Sequence, residues 1–137
     1  MLSLSIFTSS QTISVALYKN RRLIKFLKKK IYDNKIDDIF VLLKELLSKD
    51  RSYITKIFFS VGPASYTALR SIKSIAEGIS AVTNAKVVKL TEFEIYLANF
   101  KIYRPNLIVF YENINGIFFY QHFKASDKIY STPSRFY

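Results

Sequence analysis

The segment from Val61 to Arg70, VGPASYTALR, holds the densest group of side chains that could take part in chemistry. It contains three hydroxyl side chains and an arginine, and it joins a strand-like apolar run to a helix-like amphipathic pattern. Backbone N–H groups and the positive end of a helix dipole converge at such a junction, which suits a phosphate or a partner's carboxylate. The alternative is a purely structural strand-to-helix turn with Ser65 as the helix N-cap.

Outside this segment the sequence offers few groups for catalysis. The one histidine, His122, falls in a predicted strand, and the 10 carboxylates include no pair spaced for acid–base work or for Mg²⁺. The chain has no cysteine, which excludes disulfides and thiolate metal sites. No catalytic-triad, H-E-x-x-H, Walker A or dinucleotide-binding pattern occurs. We therefore predict no active site, no metal site and no cofactor for this chain.

The net charge of +11 raises the hypothesis of an RNA partner. The densest basic run, 19–30, alternates with apolar residues as a solvated edge strand would, and lysine at an edge discourages strand pairing. Abundant Lys, Ile and Asn with only 3 Gly is also the composition that an A/T-rich genome would produce. We interpret the run mainly as exposed surface, with contact to RNA or to a partner as the alternative.

The apolar periodicity predicts an α/β fold with strands and helices in the order βββαβαβα, followed by a hairpin. The predicted strands are 2–7, 12–18, 22–29, 55–61, 86–90, Leu107–Tyr111 and Ile117–Phe123, and the predicted helices are 35–48, 65–83 and 91–100. Asn20 and Asn115-Gly116 mark turns, Asn34 is the expected N-cap of the first helix, and Thr91 with Glu94 forms a capping box. Part of a further strand is expected before Pro133.

The first two helices each carry an apolar stripe at helical spacing. The first stripe is Ile36, Ile39, Phe40, Leu43, Leu46 and Leu47, and the second is Ala68, Ile72, Ile75, Ile79 and Val82. Gly78 weakens the second helix by about 1 kcal/mol relative to Ala, so we expect close packing there.

The length of 137 residues predicts one main domain, with 1–100 as an α/β lobe and 101–137 as the start of a smaller second lobe. No apolar run approaches the roughly 18 uncharged residues of a membrane span, and the N-terminus lacks the pattern of a signal peptide. The sequence predicts no membrane contact and a cytoplasmic location.

The chemistry-bearing segment resembles the G-P-G-S-F-T-G-L-R signature of the TsaB (YeaZ) family. The matching residues are Gly62, Pro63, Ser65, Thr67, Leu69 and Arg70, with Tyr66 in place of Phe. The segments 4–9, 14–17 and 76–79 also resemble the family's I-D-T-S, S-V-A-L and A-K-G-L stretches.

The resemblance implies an actin-like (ASKHA, ribonuclease H-like) lobe with a mixed sheet and flanking helices, plus an incomplete second lobe. It also implies a non-catalytic scaffold that pairs with TsaD, and with TsaE, to form the threonylcarbamoyl group on the tRNA adenosine next to the anticodon. ATP and metal would then be bound by the partner proteins, and tRNA by the assembled complex. A homodimer through the same helices is the alternative.

The resemblance also implies where the partner surface lies. The expected interface residues are Ile39, Leu43, Leu46, Leu47, Ile72, Ile75 and Ile79, with Ser65 and Arg70 holding the loop. The alternative is that both stripes simply cover the sheet.

Three positions depart from the family. Phe7 stands where actin-like enzymes carry an aspartate for metal and phosphate, and a phenyl ring can neither bind Mg²⁺ nor accept a proton. We expect the neighbouring Thr8 and Ser9 hydroxyls to serve turn hydrogen bonds. Ala64 and Ala68 replace signature glycines, which we interpret as close-packing positions rather than positions of positive φ.

Three other functions stay open from the sequence. They are a stand-alone basic RNA-binding module, a reduced actin-like ATPase or glycoprotease-type enzyme, and a decaying truncated paralogue.

Overall fold

The computed structural model describes residues 1–9, 12–31, 37–47, 54–100, 106–112, 118–124 and 134–136. Its elements are β1 (Leu2–Thr8), β2 (Thr12–Lys19), β3 (Arg22–Lys30), α1 (Asp38–Leu46), β4 (Ile54–Ser60), α2 (Tyr66–Thr83), β5 (Lys86–Leu90), α3 (Glu92–Phe100), β6 (Asn106–Glu112), β7 (Phe118–Lys124) and β8 (Ser134–Phe136). The chain forms two compact units, Met1–Leu90 and Thr91–Tyr137. The predicted lobes 1–100 and 101–137 stay a prediction.

The first unit is a mixed five-stranded sheet in the order β3-β2-β1-β4-β5. The strands β1, β2 and β3 are antiparallel neighbours, and β4 and β5 run parallel to β1. Alternate residues of the three central strands lie in one core with the buried residues of α1 and α2, among them Leu4, Ile6, Val15, Ile57 and Phe59. This arrangement confirms the predicted α/β sheet.

The hairpin between β2 and β3 turns at Asn20 and Arg21, which both have positive φ, at 49° and 67°. Two such residues in succession are what a two-residue hairpin turn requires. The N-terminal ammonium of Met1 donates a hydrogen bond to Asn20 Oδ1 over 2.7 Å. The predicted turn at Asn20 is confirmed.

Helix α1 differs from its prediction in extent and orientation. It begins at Asp38 rather than at 35, with Asp37 at the N-cap position, and the predicted cap Asn34 and the stripe residue Ile36 lie outside the described residues. Its buried residues are Ile39, Leu42, Leu43 and Leu46, whereas Phe40 is 59% exposed. Leu42 thus takes the core position that we assigned to Phe40, because the i, i+3, i+4, i+7 arc from Ile39 passes through 42 and 43.

Helix α2 buries Ala68, Ile72 and Ala76, while Ile75 and Ile79 are half-buried against the core. The prediction that Val82 belongs to this stripe is wrong, since its side chain is 86% exposed. At about 100° per residue Val82 lies roughly 80° around the helix from Ile72, past the buried arc. The expected close packing at Gly78 is also wrong, because a Cβ added there would meet no atom within 4 Å.

The second unit contains α3 and a three-stranded sheet in the order β6-β7-β8. The Thr91–Glu94 capping box is confirmed, since Thr91 N donates to Glu94 Oε2 over 2.6 Å and Glu94 N donates to Thr91 Oγ1 over 3.1 Å. Strands β6 and β7 pair antiparallel as predicted, and the Asn115-Gly116 turn lies outside the described residues. The strand expected before Pro133 lies outside the described residues, and the last described strand, β8, begins directly after that proline.

None of the helices in the described part of the chain is long and apolar enough to cross a membrane.

Candidate partner-binding site on the first unit

The loop between β4 and α2 is fixed by its backbone. Gly62 is buried with a φ of +108°, and a Cβ there would lie 3.2 Å from Leu69 Cδ1 and 3.4 Å from the Ala64 nitrogen. Gly62 precedes a cis bond to Pro63, and Val61 N donates to the Leu90 carbonyl over 2.9 Å. Only glycine fits this conformation without strain, which explains the residue type at the start of the motif.

The two alanines in the motif do not need positive φ. Among the described non-glycine residues, only Asn20, Arg21 and Asn84 have positive φ values. Ala68 is 5% exposed and faces the core. The interpretation of Ala68 as a packing position is therefore confirmed, and a methyl group is accommodated at 64 and 68.

Ser65 takes the N-cap position of α2 as predicted, with an extended ψ of 131°, but its side chain makes no capping hydrogen bond. The Ser65 carbonyl accepts from Leu69 N over 2.9 Å and so begins the helix. The hydroxyl is exposed on the same turn as those of Tyr66 and Thr67. These three side chains are therefore exposed on the first turn of α2, and the Ser65 hydroxyl does not cap the helix.

The hydroxyls of Thr8, the last residue of β1, and of Ser9, which follows it, form hydrogen bonds at the turn, as predicted. Ser9 Oγ lies 2.9 Å from Thr12 Oγ1 and accepts from Thr12 N over 3.2 Å. Thr8 Oγ1 donates to the Ser9 carbonyl over 3.2 Å, and Thr8 N donates to the buried Ser60 Oγ over 3.3 Å. The half-buried Phe7 pairs with Ser14 of β2. Within the described ranges, no three His, Asp or Glu side chains are grouped so that they could hold a metal ion.

An open cleft of about 400 Å³ lies between the start of α1 and the first turns of α2. Its lining residues are Asp37, Phe40, Tyr66, Thr67, Arg70, Ser71, Ser74 and Ile75. Phe40 and Tyr66 are 59% and 74% exposed, and the Arg70 guanidinium carbon lies 5.5 Å from the centre of the Tyr66 ring. This cation–π contact holds the arginine over the aromatic ring at the rim of the cleft.

The structure divides the seven predicted interface residues between the core and its margin. Ile39, Leu43, Leu46 and Ile72 are at most 6% exposed, so their side chains stabilise the sheet and are unavailable to a partner. Leu47, Ile75 and Ile79 are partly buried against the same core, and of these Ile75 also lines the cleft. The four buried residues are therefore core residues and not contact residues, which corrects the prediction for them. The interface itself stays a proposal.

Phe40, Val41 and Tyr66 are exposed apolar residues that were not predicted from the sequence as surface residues. Val41 is 61% exposed, next to Phe40 on the outer side of α1. One signal was present, because Tyr66 and Arg70 are four residues apart in a predicted helix and such pairs lie on the same face.

The second unit contains His122 and the buried carboxyl group of Glu92. His122 is half-buried on β7, where the hairpin prediction put it. The Glu92 side chain in the first turn of α3 is 9% exposed, and its burial raises the pKa from 4.5 to about 7. Glu92 could not be identified from the sequence, since burial of a carboxylate leaves no local sequence pattern.

The fold class is shown by the similarity of the chain to solved structures. Over 98% of its length the chain superposes on 66% of YeaZ from Pseudomonas aeruginosa, with a TM-score of 0.75 and 14% identity. The Aquifex aeolicus Ppx/GppA phosphatase matches with a TM-score of 0.51 and 13% identity, over 99% of this chain and 52% of that chain. The fold is therefore that of the actin-like (ASKHA) class, as predicted.

The sequence comparison adds the family. No protein-family model matches the chain. The tRNA threonylcarbamoyladenosine biosynthesis protein TsaB of Buchnera aphidicola is 30% identical over 95 residues, which are 67% of this chain and 42% of that protein. With the YeaZ fold and the Gly62–Arg70 motif, this match identifies the chain as a member of the TsaB/YeaZ family. The chain spans less than half of that curated relative.

Proposed function

We propose that this protein is a non-catalytic partner of a TsaD protein in the formation of threonylcarbamoyladenosine on tRNA. The observation that carries the proposal is the exposed Phe40–Tyr66–Arg70 cleft, built on the family's own signature loop. The curated relative is named for biosynthesis of this modified nucleoside, which supports the choice of process.

The exposed residues of α1 and α2 have the composition of a protein interface. Aromatic residues and arginine are enriched at interface centres and supply most of the binding energy. Phe40, Val41 and Tyr66 offer the apolar area, while Arg70 and Asp37 supply charges at its rim. The core residues Ile39 and Ile72 behind them fix both helices on the sheet. The partner surface is thus the outer side of these helices rather than their buried stripes.

The end of β1 supports a role without catalysis. Phe7 occupies the position where an actin-like enzyme carries its aspartate, and the Thr8 and Ser9 hydroxyls take part in turn hydrogen bonds. ATP and metal would then be bound by TsaD and TsaE, with tRNA bound by the assembly.

A tRNA modification assay tests the proposal. The full chain is combined with TsaD and TsaE of the same organism, the enzyme that supplies the threonylcarbamoyl donor, and an unmodified tRNA transcript, and the modified nucleoside is measured by mass spectrometry. We expect formation to depend on the chain and to fall about tenfold or more with Tyr66→Asp, because a charge at an interface centre costs several kcal/mol.

The matched control is Val82→Asp, which places the same charge at an 86% exposed position elsewhere on α2. It should leave formation of the modified nucleoside unchanged. Formation that proceeds equally well without the chain would overturn the proposed function.

A homodimer through the same surface is the second candidate. Asp37 and Arg70 carry opposite charges on one cleft, so they could pair reciprocally across a two-fold axis. Light scattering of the chain alone at increasing concentration distinguishes this state from a monomer that awaits its partner.

A further inference from the structure

Strand β3 is the terminal strand of the five-stranded sheet and carries an exposed surface of unusual composition. Three of its large apolar side chains, Leu23, Ile24 and Phe26, are 53–56% exposed. Cationic residues surround them on the strand, on the turn before it and at the end of β2, namely Lys19, Arg21, Arg22, Lys25, Lys28, Lys29 and Lys30. This surface is separate from the cleft on α1 and α2.

The register divides these cations between the two faces of the sheet. Lys25 and Lys29 lie opposite Leu17 and Ile13, whose side chains face the helices. Each of these two lysines pairs with a carboxylate of α1, Lys25 with Glu45 over 3.1 Å and Lys29 with Asp38 over 2.7 Å. The charge on the helix side of β3 is therefore largely neutralised.

The other face of β3 keeps its positive charge. Phe26, Lys28 and Lys30 lie opposite Ala16, Ser14 and Thr12, on the side of the sheet away from α1. Within the described part of the chain, Lys28 and Lys30 form no ion pair. Alternate strand residues are about 6.7 Å apart, so one exposed aromatic ring and two cations form a row along the strand.

We propose that this row, Phe26–Lys28–Lys30, is a binding site for single-stranded RNA. The two ammonium groups contact successive phosphates, and a base stacks on the Phe26 ring, which is how sheet surfaces hold single strands without reading their sequence. The proposal does not rest on the proposed function, because it uses a different surface and the chain alone.

The same edge could in principle accept an acidic peptide as an added strand. The side chains of such a strand would alternate between both faces of the sheet. Half of them would meet the face where Lys25 and Lys29 are already paired. A ring and two cations on one face therefore favour a ligand that lies on that face, as a nucleic-acid strand does.

Fluorescence anisotropy with a labelled 12-nucleotide oligouridine tests the inference on the full chain. We expect Lys28→Gln/Lys30→Gln to weaken binding about tenfold or more at 50 mM salt. The slope of log K against log salt should fall by about 1.4, that is about 0.7 for each lost phosphate contact. Phe26→Thr should weaken binding with no change in that slope.

The matched control is Lys86→Gln/Lys89→Gln, which removes two exposed lysines from β5, the opposite edge of the same sheet. An equal loss of oligouridine affinity in both double variants would show that only the net charge matters, and it would overturn the proposed binding site. Polyglutamate that competes as well as unlabelled oligouridine would overturn RNA in favour of an acidic peptide. The Lys28→Gln/Lys30→Gln variant should still form a complex with TsaD as the wild type does. Its loss of RNA affinity is then independent of the proposed function.

Discussion

Two glycines of the first unit lie in opposite environments. Gly62 is buried in the signature loop with a φ of +108°, and the Leu69 side chain approaches the place where a Cβ would be. Gly78 is exposed in the middle of α2, and the space around it is open. The two residues are of the same type, and it is the backbone conformation and the surrounding space that separate their roles.

This contrast predicts stability changes of opposite sign. Gly62→Ala should lower the free energy of unfolding by about 1–2 kcal/mol or more, from left-handed strain and the tight Leu69 contact. Gly78→Ala should raise it by about 0.5–1 kcal/mol, because alanine is the better helix former. Urea unfolding followed by circular dichroism measures both, and a gain in stability from Gly62→Ala would refute the described loop conformation.

Glu92 predicts a pH dependence of stability. Its folded pKa, raised by burial to about 7, exceeds the ordinary value of 4.5, so the folded state holds a proton that the unfolded state releases between these values. Stability should therefore fall as the pH rises from about 4.5 to 7, by at most roughly 3 kcal/mol.

Glu92→Gln should remove that fall and make the protein more stable than the wild type at pH 8. Thermal melts of both proteins from pH 4 to pH 8 measure the difference. Parallel profiles would show that the Glu92 carboxylate is solvated in the folded protein.

At the scale of elements, the sequence predicts the strands well and the helix faces less well. The strands β1 and β2 alternate apolar residues that bury on one face, and their turn at Asn20 has the residue type that a positive φ favours. Helix periodicity defines an apolar arc but not its centre. Phe40 and Val82 were thus assigned to a core that Leu42 and Ala76 occupy.

The orientation of α2 is testable with two isoleucines three residues apart. Ile72 is fully buried, whereas Ile75 is half-buried and lines the cleft. Ile72→Ala should cost about 3 kcal/mol by leaving a cavity, and Ile75→Ala about 1 kcal/mol. Denaturant unfolding gives both values. If the larger loss belonged to Ile75, α2 would have to be rotated from the orientation described here.

At the scale of the molecule, the loop of the candidate site could be predicted from the sequence, but the cleft beside it could not. The Gly62–Arg70 pattern has a local cause, since a buried glycine and a helix start need particular residues in sequence. The cleft has no such cause, because it depends on which sides of α1 and α2 remain after both helices pack on the sheet. The basic run of β3 was recognised as an edge strand, but the split of its cations between two faces needed the register.

The measurement that tests the central claim most directly is complex formation with TsaD of the same organism. The two proteins are co-expressed and examined by size-exclusion chromatography with light scattering. We expect a one-to-one complex that Tyr66→Asp disrupts and Val82→Asp preserves, with both variants folded by circular dichroism. A folded chain that elutes separately from TsaD would contradict the account, and so would a complex insensitive to Tyr66→Asp.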